Sequence, residues 1–505
     1  MHEAIVNTFA GTLRGAMENG AAVFRGVRFA QPPIGDLRFK NPVPVAPWKG
    51  VQDALAFAPI CPQGPGVPMG TPEPQGEDCL ALNVWTPATD GARRPVLFWI
   101  HGGGFVGGSS SIPLYHGDTF AAKDVVLVST NYRVHAMGFL DLEGYGDGFE
   151  NSSNSGVMDV VTALEWVRTN IAEFGGDPDN VTIFGESAGA ALVGALMATP
   201  RAHGLFHKAI GQSGTGHHTR SREVARRATD FFFNDVGVAH GDVAALQALP
   251  IEKILSRVAN YGTGQNNALQ AVFGDDDSLN AMPFRMTHGD DVIPVHPVTA
   301  LADGTAANVP HIIGANDDEF RMIYLAGDGI KPADAGLMPL AMQAERLGTS
   351  IDDLLALYRK AEPERSEDDV TIAMCSDLWF IMPGRETADL HARHQPKTYR
   401  YSFSWHSPAN GGLMRASHTL DIPFVFDHLE KAYGMRWMLG DNPPGSLAVA
   451  MQDAWIRFAR TGDPGWPAWG PDSRQVMRWD TEPAVVDDPE ADRASVWRAV
   501  FPALS

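Results

Sequence analysis

A serine flanked by glycines stands at 184–189, Phe-Gly-Glu-Ser-Ala-Gly, between the apolar run 181–184 (VTIF) and the small-residue stretch 188–198 (AGAALVGALMA). The G-x-S-x-G pattern is short, and its meaning comes from its place at a strand-to-helix turn. A turn that tight strains Ser187, and glycine two positions to either side lets neighbouring backbone approach closely. The hydroxyl is then presented at a helix N-terminus, where partial positive charge favours a developing anion. That is the setting for nucleophilic attack on an acyl carbon. Such a nucleophile needs donors for the tetrahedral oxyanion. His101-Gly102-Gly103-Gly104-Phe105, directly after the run 95–100 (PVLFWI), offers backbone N–H groups unshielded by Cβ atoms. Gly103, Gly104 and Ala188 are therefore assigned to an oxyanion hole. The plainer alternatives are a glycine-rich flexible loop and an incidental turn serine.

A general base and an acid must complete the set. Among 17 histidines, His418 stands out in the late segment 417–426 (SHTLDIPFVF), after the last run that reads as a core strand. For a serine presented on such a strand-to-helix elbow the expected chain order is serine, acid, histidine. The acid then falls between Ser187 and His418, and 316–320 (NDDEF) follows the strand-like 309–314 (VPHIIG). Residue type alone leaves Asp317, Asp318 and Glu319 open, with a solvated acidic turn as the plain alternative.

These residues need a rigid frame. The runs 95–100, 125–130 (VVLVST), 181–184 and 309–314 are short, apolar and bounded by turn residues, as strands covered on both faces are. Val157, Val161, Leu164 and Ile171 fall on one helical stripe, and Gly175-Gly176-Asp177-Pro178 stops that helix. The aromatic alternation of 398–405 (TYRYSFSW) adds a late strand. Strands alternating with helices predict an α/β protein with a mostly parallel central sheet covered on both sides. Pro/Gly-rich stretches at 31–47, 61–76 and 461–472 are short and read as loops within one catalytic domain over 1–505.

Composition narrows the partners. Sixty acidic against 39 basic residues give the 505-residue chain a net charge of −21, which repels phosphate backbones and anionic lipid. No nucleic acid and no membrane are expected as partners; a small-molecule substrate is. The first residues, MHEAIVNTFAGTLRG, lack a signal-peptide pattern, and an apolar run such as 190–198 is too short to span a bilayer. A cytoplasmic protein is expected. Three cysteines cannot form a disulfide framework, although Cys61 and Cys79 could close one loop and leave Cys375 free.

The chain resembles the type-B carboxylesterases along nearly its whole length. Residues 24–30 (FRGVRFA) with 32–39, then 77–87 (EDCLALNVWTP), 131–133 (NYR) and 174–178 (FGGDP), are similar to the family's signatures. The resemblance implies an α/β-hydrolase fold with large loop and helical insertions. It also implies a serine carboxylester hydrolase that needs no metal or cofactor. It selects Glu319 as the acid and fixes His418, giving Ser187–His418–Glu319. It makes Ser213 a hydroxyl near acid and base, and Glu186 a carboxylate that stabilises the cationic imidazole. In relatives Cys61 and Cys79 pair; such a bridge adds about 3 kcal/mol, but a reducing cytoplasm keeps both as thiols. Four departures stand out: Phe320 replaces a glycine, Val160 a glutamine, His288 an aspartate, and the 61–79 loop lacks the tryptophan with which cholinesterases bind choline. Phe105, Met282, Phe284 and Met414 are expected to line the substrate pocket, with Trp85, Met286, Met322 and the stretch 279–284 as further apolar candidates. Small to medium uncharged esters are the expected substrates. The competing readings are an aryl carbamate or amide hydrolase with the same triad, and a non-catalytic binding protein of the cholinesterase type.

Overall fold

The alternating apolar and helical stretches build one large sheet in the computed structural model, which describes residues 3–64, 74–258, 282–326, 350–361, 363–498 and 500–504. Its N-terminal strands are β1 (Glu3–Asn7), β2 (Thr12–Glu18), β3 (Ala21–Arg28), β4 (Val51–Asp53) and β5 (Ala81–Thr86). The central ones are β6 (Arg94–Ile100), β7 (Val126–Thr130), β8 (Gly176–Glu186) and β9 (Lys208–Gln212). Two short strands, β10 (Arg220–Ser221) and β11 (Thr287–His288), pair apart from the sheet. The late strands are β12 (His311–Asn316), β13 (Thr398–Phe403), β14 (Gln475–Trp479) and β15 (Ala484–Asp487).

The order is β1-β2-β3-β5-β7-β6-β8-β9-β12-β13-β14-β15, with β4 beside β2. From β7 through β14 every pairing is parallel, while the path β1-β2-β3-β5-β7 and the pair β14-β15 are antiparallel and the short β4 lies parallel to β2. The parallel strands β7, β9, β12 and β13 are buried at every position, because helices cover both faces. Helices Ser155–Asn170 and Ala188–Met197 pack one face; Gly445–Thr461, through Trp455 and Phe458, packs the other.

The predicted apolar runs all fall in this parallel region, with shifted ends. β8 starts at Gly176, because Arg94 pairs with Gly176 across a register shift before the run 181–184 begins. β12 starts after Pro310, which has no N–H for a ladder. The helix-stop reading holds: Ser155–Asn170 runs into a short 3₁₀ turn, and Gly175 ends it at φ 75°. One expectation is corrected. His418 does not follow the last core strand, since β14 comes later and joins the sheet beside β13. Among the described residues no helix is long and apolar enough to cross a membrane.

The parallel order brings the carboxyl ends of β6, β8 and β12 to one edge. Loops there carry residues 101–105, 187 and 317–320, at the place where open α/β sheets bind ligands.

Candidate active site

At the end of β8 the chain turns into helix Ala188–Met197 through Ser187, at φ 55° and ψ −121°. That is a strained conformation for a residue with a Cβ, of the kind that persists where the surroundings over-determine it. The Ser187 amide is held by Gln212 O of β9 at 2.9 Å. The flanking glycines are needed for contact. A Cβ on Gly185 would meet the Gly189 carbonyl carbon at 2.6 Å, and one on Gly189 would overlap Ile100 O of β6. Gly189→Ala is therefore expected to destabilise the fold by about 2–3 kcal/mol through overpacking. Helix propensity alone predicts the opposite sign, a gain of about 1 kcal/mol. Urea unfolding distinguishes the two, and a stabilised variant would contradict this account of the elbow.

The glycine loop after β6 lies against this turn. A Cβ on Gly102 would sit 3.2 Å from Ser187 Cβ and 2.7 Å from Glu186 Oε2. Gly103 has φ 112° and Gly104 φ 61°. Gln63 pins the loop's far side, accepting from Gly108 N at 2.8 Å and donating to Gly108 O at 3.1 Å. The imidazole of His101 stacks on Tyr132 with centroids 4.4 Å apart, and burial lowers its pKa to about 4. Among the described residues no acceptor takes the N–H of Gly103, Gly104 or Ala188. Three donors beside one hydroxyl are thus available to an incoming oxygen.

Glu319 and His418 meet although 99 positions separate them. His418 Nδ1 lies 2.5 Å from Glu319 Oε2, while Glu319 Oε1 accepts from the Asn316 amide at 2.7 Å. Asp318 N donates to Ala416 O at 2.9 Å and His418 N to Glu319 O at 3.3 Å, zipping the acid loop onto the histidine loop. The two rejected carboxylates are engaged elsewhere. Asp318 pairs with Arg321 at 3.1 Å; Asp317 is turned toward Ser404, and burial raises its pKa to about 6. Phe320, at the family's glycine position, packs against Trp379 and donates its amide to Ser376 Oγ at 3.0 Å.

The other face of the imidazole differs from a fully connected triad. His418 Nε2 lies 3.2 Å from Glu186 Oε1, and among the described residues Ser187 Oγ makes no hydrogen bond to it. Burial works against an imidazolium here, but Glu186 and Glu319 outweigh it and raise the His418 pKa to about 9. Burial, opposed by His418, raises Glu186 to about 8. The Phe380 ring lies against the imidazole, centroids 4.7 Å apart and tilted by 38°.

The remaining residues separate. Ser213, at φ 54°, is buried with an Oγ that has no partner among the described residues. Met282 touches the glycine loop: its Sδ would lie 3.2 Å from a Cβ on Gly104. Phe105 packs edge-on against Phe139, Phe284 against Phe232, and Met414 is fully buried in the second core. Residues 279–281 lie outside the described residues. Cys61 and Cys79 are two buried free thiols side by side, and the Cys79 thiol is pushed well up by Cys61 and by burial. Asp421 was not singled out in the sequence. It accepts from Gln212 Nε2 at 2.8 Å and Tyr401 OH at 3.0 Å, close enough to Glu319 and His418 to feel their charge, and burial raises its pKa to about 6. Its signal was its place in the histidine segment, three residues after His418.

The model of the carboxylesterase family matches residues 2–497. The chain belongs to that family. It is 35% identical to the para-nitrobenzyl esterase of Bacillus subtilis (strain 168) over 98% of each chain, and 36% identical to the phenmedipham hydrolase of Pseudarthrobacter oxydans over 94% of each. Its fold matches the crystal structure of a Geobacillus stearothermophilus carboxylesterase with a TM-score of 0.85 at 35% identity, covering 98% of this chain and 100% of that one. The fold is therefore the α/β-hydrolase fold, and the enzyme is a carboxylic ester hydrolase.

Proposed function

We propose that residues 1–505 form one catalytic domain in which Ser187, His418 and Glu319 cleave small to medium uncharged esters through an acyl-enzyme. His418 Nε2 takes the Ser187 proton as Oγ attacks the ester carbonyl carbon. Glu319 fixes the imidazole by accepting from Nδ1–H and stabilises its charged form. The amides of Gly103, Gly104 and Ala188 receive the oxyanion. The imidazolium protonates the departing alcohol; water, deprotonated by the same nitrogen, then attacks the acyl carbon and releases the acid. The observation that carries this reading is the 2.5 Å contact of His418 with Glu319 beside a strained, glycine-flanked Ser187. Labelling with a fluorophosphonate probe tests it: the modified residue is expected to be Ser187, and an unlabelled Ser187 in folded protein refutes the assignment.

The pH profile follows from the same contacts. A base must be neutral to accept a proton, and two carboxylates hold the His418 proton on. On an uncharged ester with chemistry limiting, kcat/KM is expected to rise with pH, with a midpoint above the ordinary 6.5 of histidine. Glu186→Gln removes one of those carboxylates and is expected to move the midpoint down. A flat profile from about pH 5 to 8 contradicts the role of His418.

A further inference from the structure

The helix that begins at Glu367 runs on to His391 but widens once, at Asp377–Ile381, where Met382 N donates to Asp377 O five positions back rather than four. Pro383 gives the physical reason. It has no N–H for the carbonyl four positions before it, and its ring crowds that oxygen. Single π turns of this kind recur at functional sites, and the neighbours of this one are the acid loop and the base. Ser376 Oγ, just before the turn, accepts at 3.0 Å from the amide of Phe320, the residue after Glu319. Trp379 lies against the Phe320 ring with centroids 6.2 Å apart. Phe380 is buried against the His418 imidazole, centroids 4.7 Å apart.

The turn is anchored on its other side. Asp377, fully buried, accepts from Tyr358 OH and, at 2.8 Å, from Arg493 Nη1. Trp497 Nε1 donates to the same Tyr358 oxygen at 2.7 Å. Helices Ile351–Ala361 and Ala491–Trp497 therefore grip the turn through Asp377. A turn wider than an α-helical one spreads Asp377 and Phe380 further round the axis, so one can face these helices while the other faces His418. The carboxylates around His418 leave one degree of freedom open. Glu319 at Nδ1 and Glu186 at Nε2 fix the line between the two nitrogens, not the tilt of the ring about that line. The accepting lone pair of Nε2 lies in the ring plane, so the tilt aims it.

We propose that this turn sets the plane of the catalytic imidazole: Phe380 is a positioning residue that braces the ring, and the clamp of Asp377 with Tyr358 and Arg493 holds Phe380 in place. The proposal rests on the triad reading above.

Steady-state hydrolysis of 4-nitrophenyl butanoate by the full chain tests it through a double-mutant cycle. Phe380→Leu is expected to lower kcat by about tenfold or more with KM changed less than about threefold, because a misaimed base costs chemistry rather than binding. Tyr358→Phe removes a hydroxyl and keeps the ring. It is expected to lower kcat by about fivefold in the wild-type background but by less than about twofold in the Phe380→Leu background, since the clamp acts through Phe380. The far-downfield proton resonance of the bond between His418 Nδ1 and Glu319 is expected to shift in Tyr358→Phe, where the Phe380 ring is still present. Urea unfolding is the control, and should Phe380→Leu fail to fold, Phe380→Met takes its place in the cycle. A kcat within about twofold of wild type for the Phe380 variant overturns the proposal. So does an unmoved resonance in Tyr358→Phe, or an equal loss from Tyr358→Phe in both backgrounds, which is what general loosening of the fold produces. Wild-type protein whose Ser187 escapes the fluorophosphonate would instead overturn the triad reading.

Discussion

Ser187→Ala is expected to lower turnover of an activated ester by about 10⁴-fold or more while KM changes little. At 1.36 kcal/mol per factor of ten, that is about 5.5 kcal/mol of transition-state stabilisation. The loss is large because in the proposed mechanism Ser187 forms the acyl-enzyme: without its hydroxyl His418 and Glu319 still meet, but they have no proton to relay. Binding survives because the hydroxyl is a small part of the surface a substrate touches. The variant also separates chemistry from folding. Alanine keeps the Cβ at φ 55°, so the backbone strain is unchanged and stability should stay within about 0.5 kcal/mol. Stopped-flow release of nitrophenolate, with urea unfolding as the control, reads both quantities. Retention of most turnover in the folded variant would remove Ser187 from the mechanism.

Glu319→Gln is expected to lower kcat by about 10³–10⁴-fold through the histidine tautomer. The direction follows from what each carboxylate oxygen touches. Oε1 must accept from the Asn316 amide at 2.7 Å, so the glutamine oxygen is committed there. Its NH₂ then faces His418 Nδ1, 2.5 Å away in the wild type. A donor at that place requires Nδ1 to carry a lone pair and moves the proton to Nε2, where the base needs its own lone pair. Loss of the charge also removes one of the two carboxylates that hold the imidazole proton, so the residual activity should titrate at lower pH than the wild type. Glu319→Asp, which keeps the charge and shortens the reach, should lie between the two. A kcat within tenfold of wild type for Glu319→Gln would show that the acid does not set the tautomer.

Much of the frame was legible because its signals are local. The run 95–100 became the buried end of β6, and 125–130 and 181–184 lie within or against β7 and β8, since a strand covered on both faces must be apolar throughout. The glycines around Ser187 were legible for a similar reason: a backbone approach too close for a Cβ admits one residue type. β14 was missed because its alternation, with Arg478 exposed and Val476 and Trp479 buried, spans only five residues, and its pairing with β13 and β15 is something no local pattern announces.

The acid was legible only through resemblance. Asp317, Asp318 and Glu319 are adjacent carboxylates of nearly equal chemistry, and what separates them is where a loop points them: one toward Ser404, one to Arg321, one to His418. The sequence by itself determined the residue types that a tight elbow, a glycine loop and a buried parallel sheet require, because each is a constraint between near neighbours in the chain. Only the tertiary structure decided the contact of Glu186 with His418 and the buried Asp421 that Gln212 and Tyr401 hold. These join stretches of chain tens to hundreds of residues apart, and charge and burial act through space, where no periodicity records them.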